Sequence, residues 1–397
     1  MECNANGHYP NCSGPHNGAK LTTNILKKIV YIVNVDWFFI SHRLPLALHA
    51  LENGWEVFLL TKDSGRKEEL ENYGIRVHDI PFGRTSINPI QEIKCVMRLT
   101  RLIRQIEPDV IHNVTWKGCL WGGIAAKRAG NHHVVNALSG LGSVIINKGV
   151  VNHVMEYIAK VAFKDEYSTF IFQNPDDIQW FKTHGYATNN RIRLIKGSGI
   201  DLELFSYQKV IPKNKIRILF PARMLRDKGL CELIEAMHVL RPKYDGKIEL
   251  ILAGGCDDAN KTSLSKEELN AMLVDSYITW IGNQKDMYPV YVDSDIVALP
   301  SYREGLPKSL IEACAVGRPI VTTDVPGCRE CVDDGINGYL VPLKSSSAIA
   351  EAIARLVDNQ DDRIRFGMAS RRKAELEFSI ENVIKKTFSL YDSVMKN

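Results

Sequence analysis

The sequence predicts an α/β fold made of two successive doubly wound, Rossmann-like domains. Two observations carry this expectation. From Lys28 onward, short apolar stretches of strand length alternate with longer amphipathic stretches of helical spacing, the pattern of a parallel sheet covered by helices. The alternation breaks near residues 197–214, where the composition turns polar and irregular, and then begins again. In the first series "IVYIVNV" reads as a strand, "HRLPLALHALENG" as a helix closed by Gly54, and "EVFLLT" as the second strand. "IRVHDIP", "DVIHNV", "HHVVNAL" and "STFIFQN" continue it, with helices expected around 65–73, 88–106, 118–130, 150–164 and 175–184. The second series runs "IRILFPA", "IELILAGG", "ITWIGN", "DIVALP" and "PIVTT", and the chain closes on the amphipathic helices "SSAIAEAIARLVDN" and "IENVIKKTFSLYDSV". The expected division is a disordered tail over 1–24, an N-terminal domain over 25–205, a C-terminal domain over 206–378, and a last helix over 379–397 that returns to the N-terminal domain.

The 397 residues leave room for two domains, and 45% apolar with 24% charged residues is ordinary for a globular enzyme. No apolar run approaches the roughly 20 residues that span a bilayer, and the first 24 residues lack a signal-peptide core, so the expected compartment is the cytoplasm. Nine cysteines there read as free thiols. Cys3 and Cys12 with His8 and His16 match no zinc template, and the lone C-x-x-C of Cys328 and Cys331 reads as small residues lining a turn. Residues 1–200 hold 23 Lys and Arg against 17 Asp and Glu, whereas residues 201–397 hold 27 against 29. The basic half suits an anionic membrane surface or a phosphorylated acceptor.

Neither series opens with G-x-G-x-x-G after its first strand; "SGLGSV" follows a late strand, so a nicotinamide dehydrogenase is disfavoured. A Walker A loop, a G-x-S-x-G elbow and H-E-x-x-H are also missing from the sequence. The chemistry gathers instead after the strands of the second series. Arg223 and Lys228 follow "ILFPA", Gly254 and Gly255 follow "LILA", Gly282 ends "TWIG", and Glu304 follows "IVALP". Pro307 then suits the start of a helix that carries Glu312 and stops at Gly317. Strand ends of one parallel sheet share an edge, so two cations, a glycine pair, two carboxylates and a helix N-terminus converge there. Cations with free helix N–H groups at Leu306, Lys308 and Ser309 suit a diphosphate, and a carboxylate on a helix suits the hydroxyls of a ribose.

The motifs "PARMLRDKG", "LILAGG" and "WIGNQKDMYPVYVDSDIVALPSYREGLPKSLIEACAVGRPIVTTDVPGCRECVDDGINGYLVP" resemble glycosyltransferase family 4, the retaining enzymes of the GT-B fold. "NVDWFFISHRLPLA", "PDVIHNVTWKGCLWGGIAAKRAG" and "NALSGLGSV" resemble a bacterial subgroup that builds surface or lipid-linked oligosaccharides. The resemblance implies that Arg223 and Lys228 hold the donor diphosphate and stabilise it as a leaving group, that Glu312 binds the ribose, and that Glu304 contacts the transferred sugar. Gly305, Leu306, Pro307, Lys308 and Ser309 would line the donor with Gly254, Gly255 and Gly282. No resident cofactor or metal is implied. Two departures stand out. The first βα loop is "NVDWFFISHR" without the family's glycine pair, leaving Ser41, His42 and Arg43 to serve. Val114 stands where many members carry a second histidine, leaving Asn113, Thr115 and Lys117 as polar substitutes. Ser139 and Gly140 of "SGLG" complete the acceptor-side candidates, while His112 reads as a structural residue.

Asp293 and Asp295 spell D-x-D, which binds a divalent ion in another glycosyltransferase fold, but they precede a buried strand and read as a cap. The expected activity is transfer of a hexose or N-acetylhexosamine from a UDP-linked sugar to a lipid-linked saccharide in bacterial surface polysaccharide assembly, with no nucleic-acid partner. A UDP-sugar 2-epimerase of the same fold and an inert nucleotide-sugar-binding partner are the alternatives. Peripheral membrane contact is expected from the segment "VIINKGVVNHVMEYIAKVAFK".

Overall fold

The computed structural model describes residues 26–83, 89–131, 133–141, 150–163, 167–211, 213–257, 260, 262–273 and 276–396, with the side chains of 150–155 and 189 left out. The N-terminal tail, with Cys3, His8, Cys12 and His16, lies outside them. Strands β1 (Lys28–Ile32), β2 (Glu56–Thr61), β3 (Arg76–Asp79), β4 (Val110–Val114), β5 (Val134–Leu138), β6 (Ser168–Phe172) and β7 (Ile192–Leu194) form a first sheet in the order β3-β2-β1-β4-β5-β6-β7. Strands β8 (Ile216–Pro221), β9 (Ile248–Ala253), β10 (Ile278–Gly282), β11 (Ile296–Leu299), β12 (Ile320–Thr323) and β13 (Gly338–Val341) form a second in the order β10-β9-β8-β11-β12-β13. The ladders are parallel, for example Val30 opposite Phe58 and Ile111, and Leu219 opposite Ile251 and Val297. Central strands such as β11 are buried along their whole length, which is why they read as unbroken apolar runs.

Each sheet reverses its strand order once, between β1 and β4 in the first and between β8 and β11 in the second. Crevices open at such reversals, outside the carboxyl ends of the strands. Separate cores lie on the two faces of the first sheet, and another surrounds the second.

The chain crosses between the sheets twice. The outgoing segment runs through Ile200, and the returning one passes Phe378 and Ser379 into the helix Ile380–Val394. The crossings are bonded to each other, Ile200 N–H to Phe378 O and Ile380 N–H to Ile200 O, both at 2.9 Å. The helix Ile380–Val394 then lies on the first sheet, where Val383, Leu390, Tyr391 and Val394 join the core around β1 and β2. The Tyr391 hydroxyl meets His112 Nδ1 at 2.5 Å, giving His112 a partner inside the core rather than in the crevice. The expected amphipathic face near 150–164 is only partly described; Ala159, Ala162 and Phe163 are core residues, and Tyr157 and Val161 are exposed. Lys148 and Lys164 lie outside the described residues.

Candidate active site

The second crevice is built by the turns after β8 and β11. After β8 the chain makes a turn, Arg226–Lys228, closed by Gly229 at φ +75°. A Cβ on Gly229 would overlap the Pro300 carbonyl, so only glycine lets this turn lie against the end of β11. Lys228 Nζ is thereby set against Glu304 Oε1 in an ion pair whose members are each less than a fifth exposed. Ser301 Oγ donates to the same carboxylate oxygen at 2.9 Å, and Glu304 N–H to Pro326 O at 3.1 Å. Glu304 is therefore fixed at both its backbone and its side chain. Arg223 is half exposed and pairs with Asp257 Oδ2 at 2.5 Å.

The helix Lys308–Val316 starts one residue later than the sequence suggests, with Pro307 in an extended conformation at the capping position, and no side chain among the described residues caps it. Among the described residues the N–H groups of Lys308 and Ser309 have no partner and are left for a ligand, while Leu310 N–H returns to Pro307 O at 3.0 Å, and the helix end favours negative charge. Glu312, on the second turn, accepts from the Tyr291 hydroxyl at 3.0 Å, with Lys308 Nζ at 3.8 Å. Burial pushes its carboxyl above the usual range, with Lys308 and the Tyr291 hydroxyl opposing. Ser309 contributes its carbonyl to the Tyr291 hydroxyl at 2.9 Å. Leu306 is buried and packs against the linker beside Gly197.

The two glycines after β9 serve close approach. A Cβ at Gly254 would overlap Ala222 O, and one at Gly255 would lie 2.6 Å from Asn283 Nδ2. Gly282, at φ +68°, accepts from Gly254 N–H at 2.9 Å and has open space where a side chain would be.

On the opposing edge, Asn34 after β1 and Thr115 after β4 flank the first reversal, with Thr115 Oγ1 donating to Asn34 Oδ1 at 3.3 Å. Thr115 holds φ at +68°, a conformation a β-branched residue avoids at a cost of about 1–3 kcal/mol. Ser41 Oγ meets His42 Nδ1 at 2.5 Å, and His42 stacks on Phe38. Burial first, then the cations of Arg43 and Lys308, push the imidazole down to about 3, so it is neutral at physiological pH. Arg43 is 4% exposed, donates through Nη1 to His42 O at 2.8 Å, and leaves Nε without a partner among the described residues. Lys117 is held by Glu92 Oε1 at 3.0 Å and Gly83 O at 2.8 Å. Asn113 is not brought to the crevice: it is fully buried and donates to Asn136 Oδ1 at 2.8 Å.

The two edges touch. Ser139 and Gly140 abut Gly305 so closely that a Cβ on Gly305 would overlap Ser139 O, and Lys308 Nζ donates to Ser41 O at 3.0 Å. Sequence reasoning missed several partners here, namely Ser301, Tyr291, Asp257, Asn174 and Asp177. Only Asn174 left a signal, standing before Pro175 as a helix cap. The D-x-D pair lies at the opposite edge of the sheet. Asp295 accepts from Arg217 N–H at 2.9 Å, and Asp293 is paired with Lys213 and Arg217. Among the described residues no group of three or more His, Cys, Asp and Glu is gathered for a metal, and no helix is long and apolar enough to cross a membrane.

Comparison with known proteins agrees with this geometry. The family "Glycosyl transferases group 1" matches residues 203–373, and "Glycosyl transferase 4-like" matches 28–174. A Campylobacter jejuni protein named N,N'-diacetylbacillosaminyl-diphospho-undecaprenol alpha-1,3-N-acetylgalactosaminyltransferase is 30% identical, over 90% of this chain and 99% of its own. An Escherichia coli UDP-Gal:alpha-D-GlcNAc-diphosphoundecaprenol alpha-1,3-galactosyltransferase is 22% identical, over 86% and 90%. Anabaena HepE, solved with UDP and glucose, superposes with a TM-score of 0.74 at 18% identity, covering 93% of this chain and all of its own. The chain belongs to the group 1 glycosyltransferases, with the two-domain GT-B architecture of that family.

Proposed function

We propose that this enzyme transfers a hexose or N-acetylhexosamine, with retention, from a UDP-linked donor to a lipid-linked saccharide in bacterial surface polysaccharide assembly. The observation that carries this reading is the Lys228–Glu304 pair beside the uncapped N-terminus of Lys308–Val316, where a cation, a carboxylate and free N–H groups meet at one strand-order reversal. In this reading Lys228, Arg223 and the helix N-terminus stabilise the diphosphate as it leaves, charge that preorganised groups supply without a metal. Glu304 contacts the transferred sugar and Glu312 the ribose. Across the crevice Arg43, a buried cation with an unpartnered Nε and no carboxylate partner among the described residues, suits the acceptor's diphosphate. The acceptor class is supported by the diphospho-undecaprenol substrates in the relatives' names. Approach to a membrane is supported by the helix Pro89–Ile106, which exposes Ile90, Ile93 and Met97 along with Lys94, Arg98, Arg101 and Arg104.

The test presents undecaprenyl-diphosphate-linked saccharides in anionic vesicles with a panel of UDP-sugars and EDTA. The expected result is glycosylated lipid with the donor's anomeric configuration, in a yield that falls with added salt. Formation of UDP-ManNAc from UDP-GlcNAc without acceptor would establish the epimerase instead. Loss of activity in EDTA with rescue by Mn²⁺ would bring Asp293 and Asp295 back as a site.

Glu312 yields a separate expectation. Its carboxyl is raised in the folded protein, so folding holds that proton more tightly than the unfolded chain does. Stability is therefore lost as pH rises from the ordinary carboxylate value through the raised one, and the penalty persists at neutral pH. Glu312→Gln should raise the Tm of the empty enzyme at pH 7 while weakening UDP binding roughly 10–100-fold, the worth of hydrogen bonds to a charged group. The wild-type affinity for UDP should fall as pH drops into the range where Glu312 takes up its proton. A variant that binds UDP normally would remove Glu312 from the ribose site.

A further inference from the structure

Both neighbours of Glu304 are gripped by the other domain. The helix Pro175–Thr183 follows β6 in the first sheet, and its capping residue Asn174 donates through Nδ2 to Gly305 O at 2.7 Å. Asp177, in the first turn of that helix, pairs with Arg303 at 2.5 Å. Asp177 is 1% exposed, and its other oxygen accepts from Leu141 N–H at 3.3 Å and Asn174 Nδ2 at 3.0 Å. Leu141 adjoins Gly140, whose backbone lies against Gly305. Asp176 pairs at 3.3 Å with Arg329, and that loop also touches the catalytic loop, because a Cβ on Gly327 would lie 2.5 Å from Glu304 O. The residues on either side of Glu304 are thus fastened to a helix more than 120 positions away.

We infer that Asn174 and Asp177 are positioning residues, which orient Glu304 only when the two domains are together; the inference rests on the reading of Glu304 as the group that meets the transferred sugar. The physical reason lies in what happens when the domains part. Separation would break the Asp177–Arg303 ion pair and the Asn174–Gly305 hydrogen bond at once, so it is costly and closure is favoured. Closure in turn holds Arg303 and Gly305, and with them the backbone that carries Glu304, to the tolerance that transfer requires. A misplacement of about 1 Å at a reacting group can cost on the order of 100-fold in rate.

The test compares Asp177→Asn, Arg303→Gln, their double variant, Asn174→Ser and Glu304→Gln. Serine at 174 keeps a capping oxygen for Asp177 N–H but cannot reach Gly305 O. The two members of the ion pair should each lower kcat roughly 10–100-fold, and the double variant should be no worse than either alone. Asn174→Ser should also lower kcat, without loss of Tm. UDP, bound within the second domain, should keep its Kd within about twofold in all four clamp variants. Multiplying effects in the double variant, or UDP affinity falling in step with kcat, would overturn the inference in favour of a general structural role. Fully active clamp variants beside an inactive Glu304→Gln would overturn the inference alone. A fully active Glu304→Gln would overturn the reading of Glu304 and the clamp together.

Discussion

Lys228→Ala should lower kcat/KM by about two to three orders of magnitude, the usual consequence of removing one preorganised group that meets developing negative charge. The residue is placed for this role by Gly229 and is less than a fifth exposed, so little water is present to substitute for it. Removal also leaves Glu304 with Ser301 as its one remaining side-chain donor among the described residues, so Tm should fall as well. The double variant Lys228→Ala/Glu304→Gln separates the two effects, since neutralising the stranded carboxylate should restore Tm and leave the enzyme inactive. Arg223→Ala should cost less, because Arg223 is half exposed and shared with Asp257. Equal activity of Lys228→Ala and wild type would mean that the leaving diphosphate is held elsewhere.

Gly229→Ala should be among the most damaging single methyls in the crevice. It would force a left-handed residue, costing about 1–2 kcal/mol, and drive Cβ into the Pro300 carbonyl, costing about 1–3 kcal/mol more. A loss of this size corresponds to roughly 4–20 °C in Tm for a domain of this length. Gly246→Ala is the matched control. Gly246 has nearly the same φ, +71°, but nothing within 4 Å of the added atom, so it should pay the backbone cost alone. Thermal unfolding of the pair isolates the contact with Pro300, and equal losses would show that the contact costs nothing.

The elements easiest to read in the sequence were those whose cause is local. Gly317 ends its helix at φ +80° with a backbone N–H returned to Cys314 O, a stop signal any reader of the sequence meets. The spacing from Glu304 through Pro307 to Glu312 places a turn, a helix start and a second-turn carboxylate by geometry alone. What stayed hidden was either short or distant. Strand β7, of three residues, is too brief for a period to show, and β13 is buried only at its ends, Gly338 and Val341, unlike the unbroken buried runs of β11 and β12. The helix Asp36–His42 was taken for loop, since its aromatic "WFFISH" has neither a capping side chain nor a clean apolar stripe. Asn113 looked like an acceptor ligand because it stands at a strand end, but its partner Asn136 belongs to the neighbouring strand. The partners of His112 and Arg303 lie 279 and 126 positions away, and no pattern within one chain announces such pairings.

The doubled crossing at Ile200 and Ser379 has a mechanical meaning. A single linker would let the halves swivel freely, whereas two segments bonded side by side form a strip that bends about one line and resists torsion. Gly199 keeps that strip thin, since a Cβ there would lie 2.6 Å from Ile380 Cδ1 and wedge the crossings apart. A hinged, book-like movement is the one this strip permits, and each closing would return Arg303 to Asp177 and Gly305 to Asn174 along the same arc.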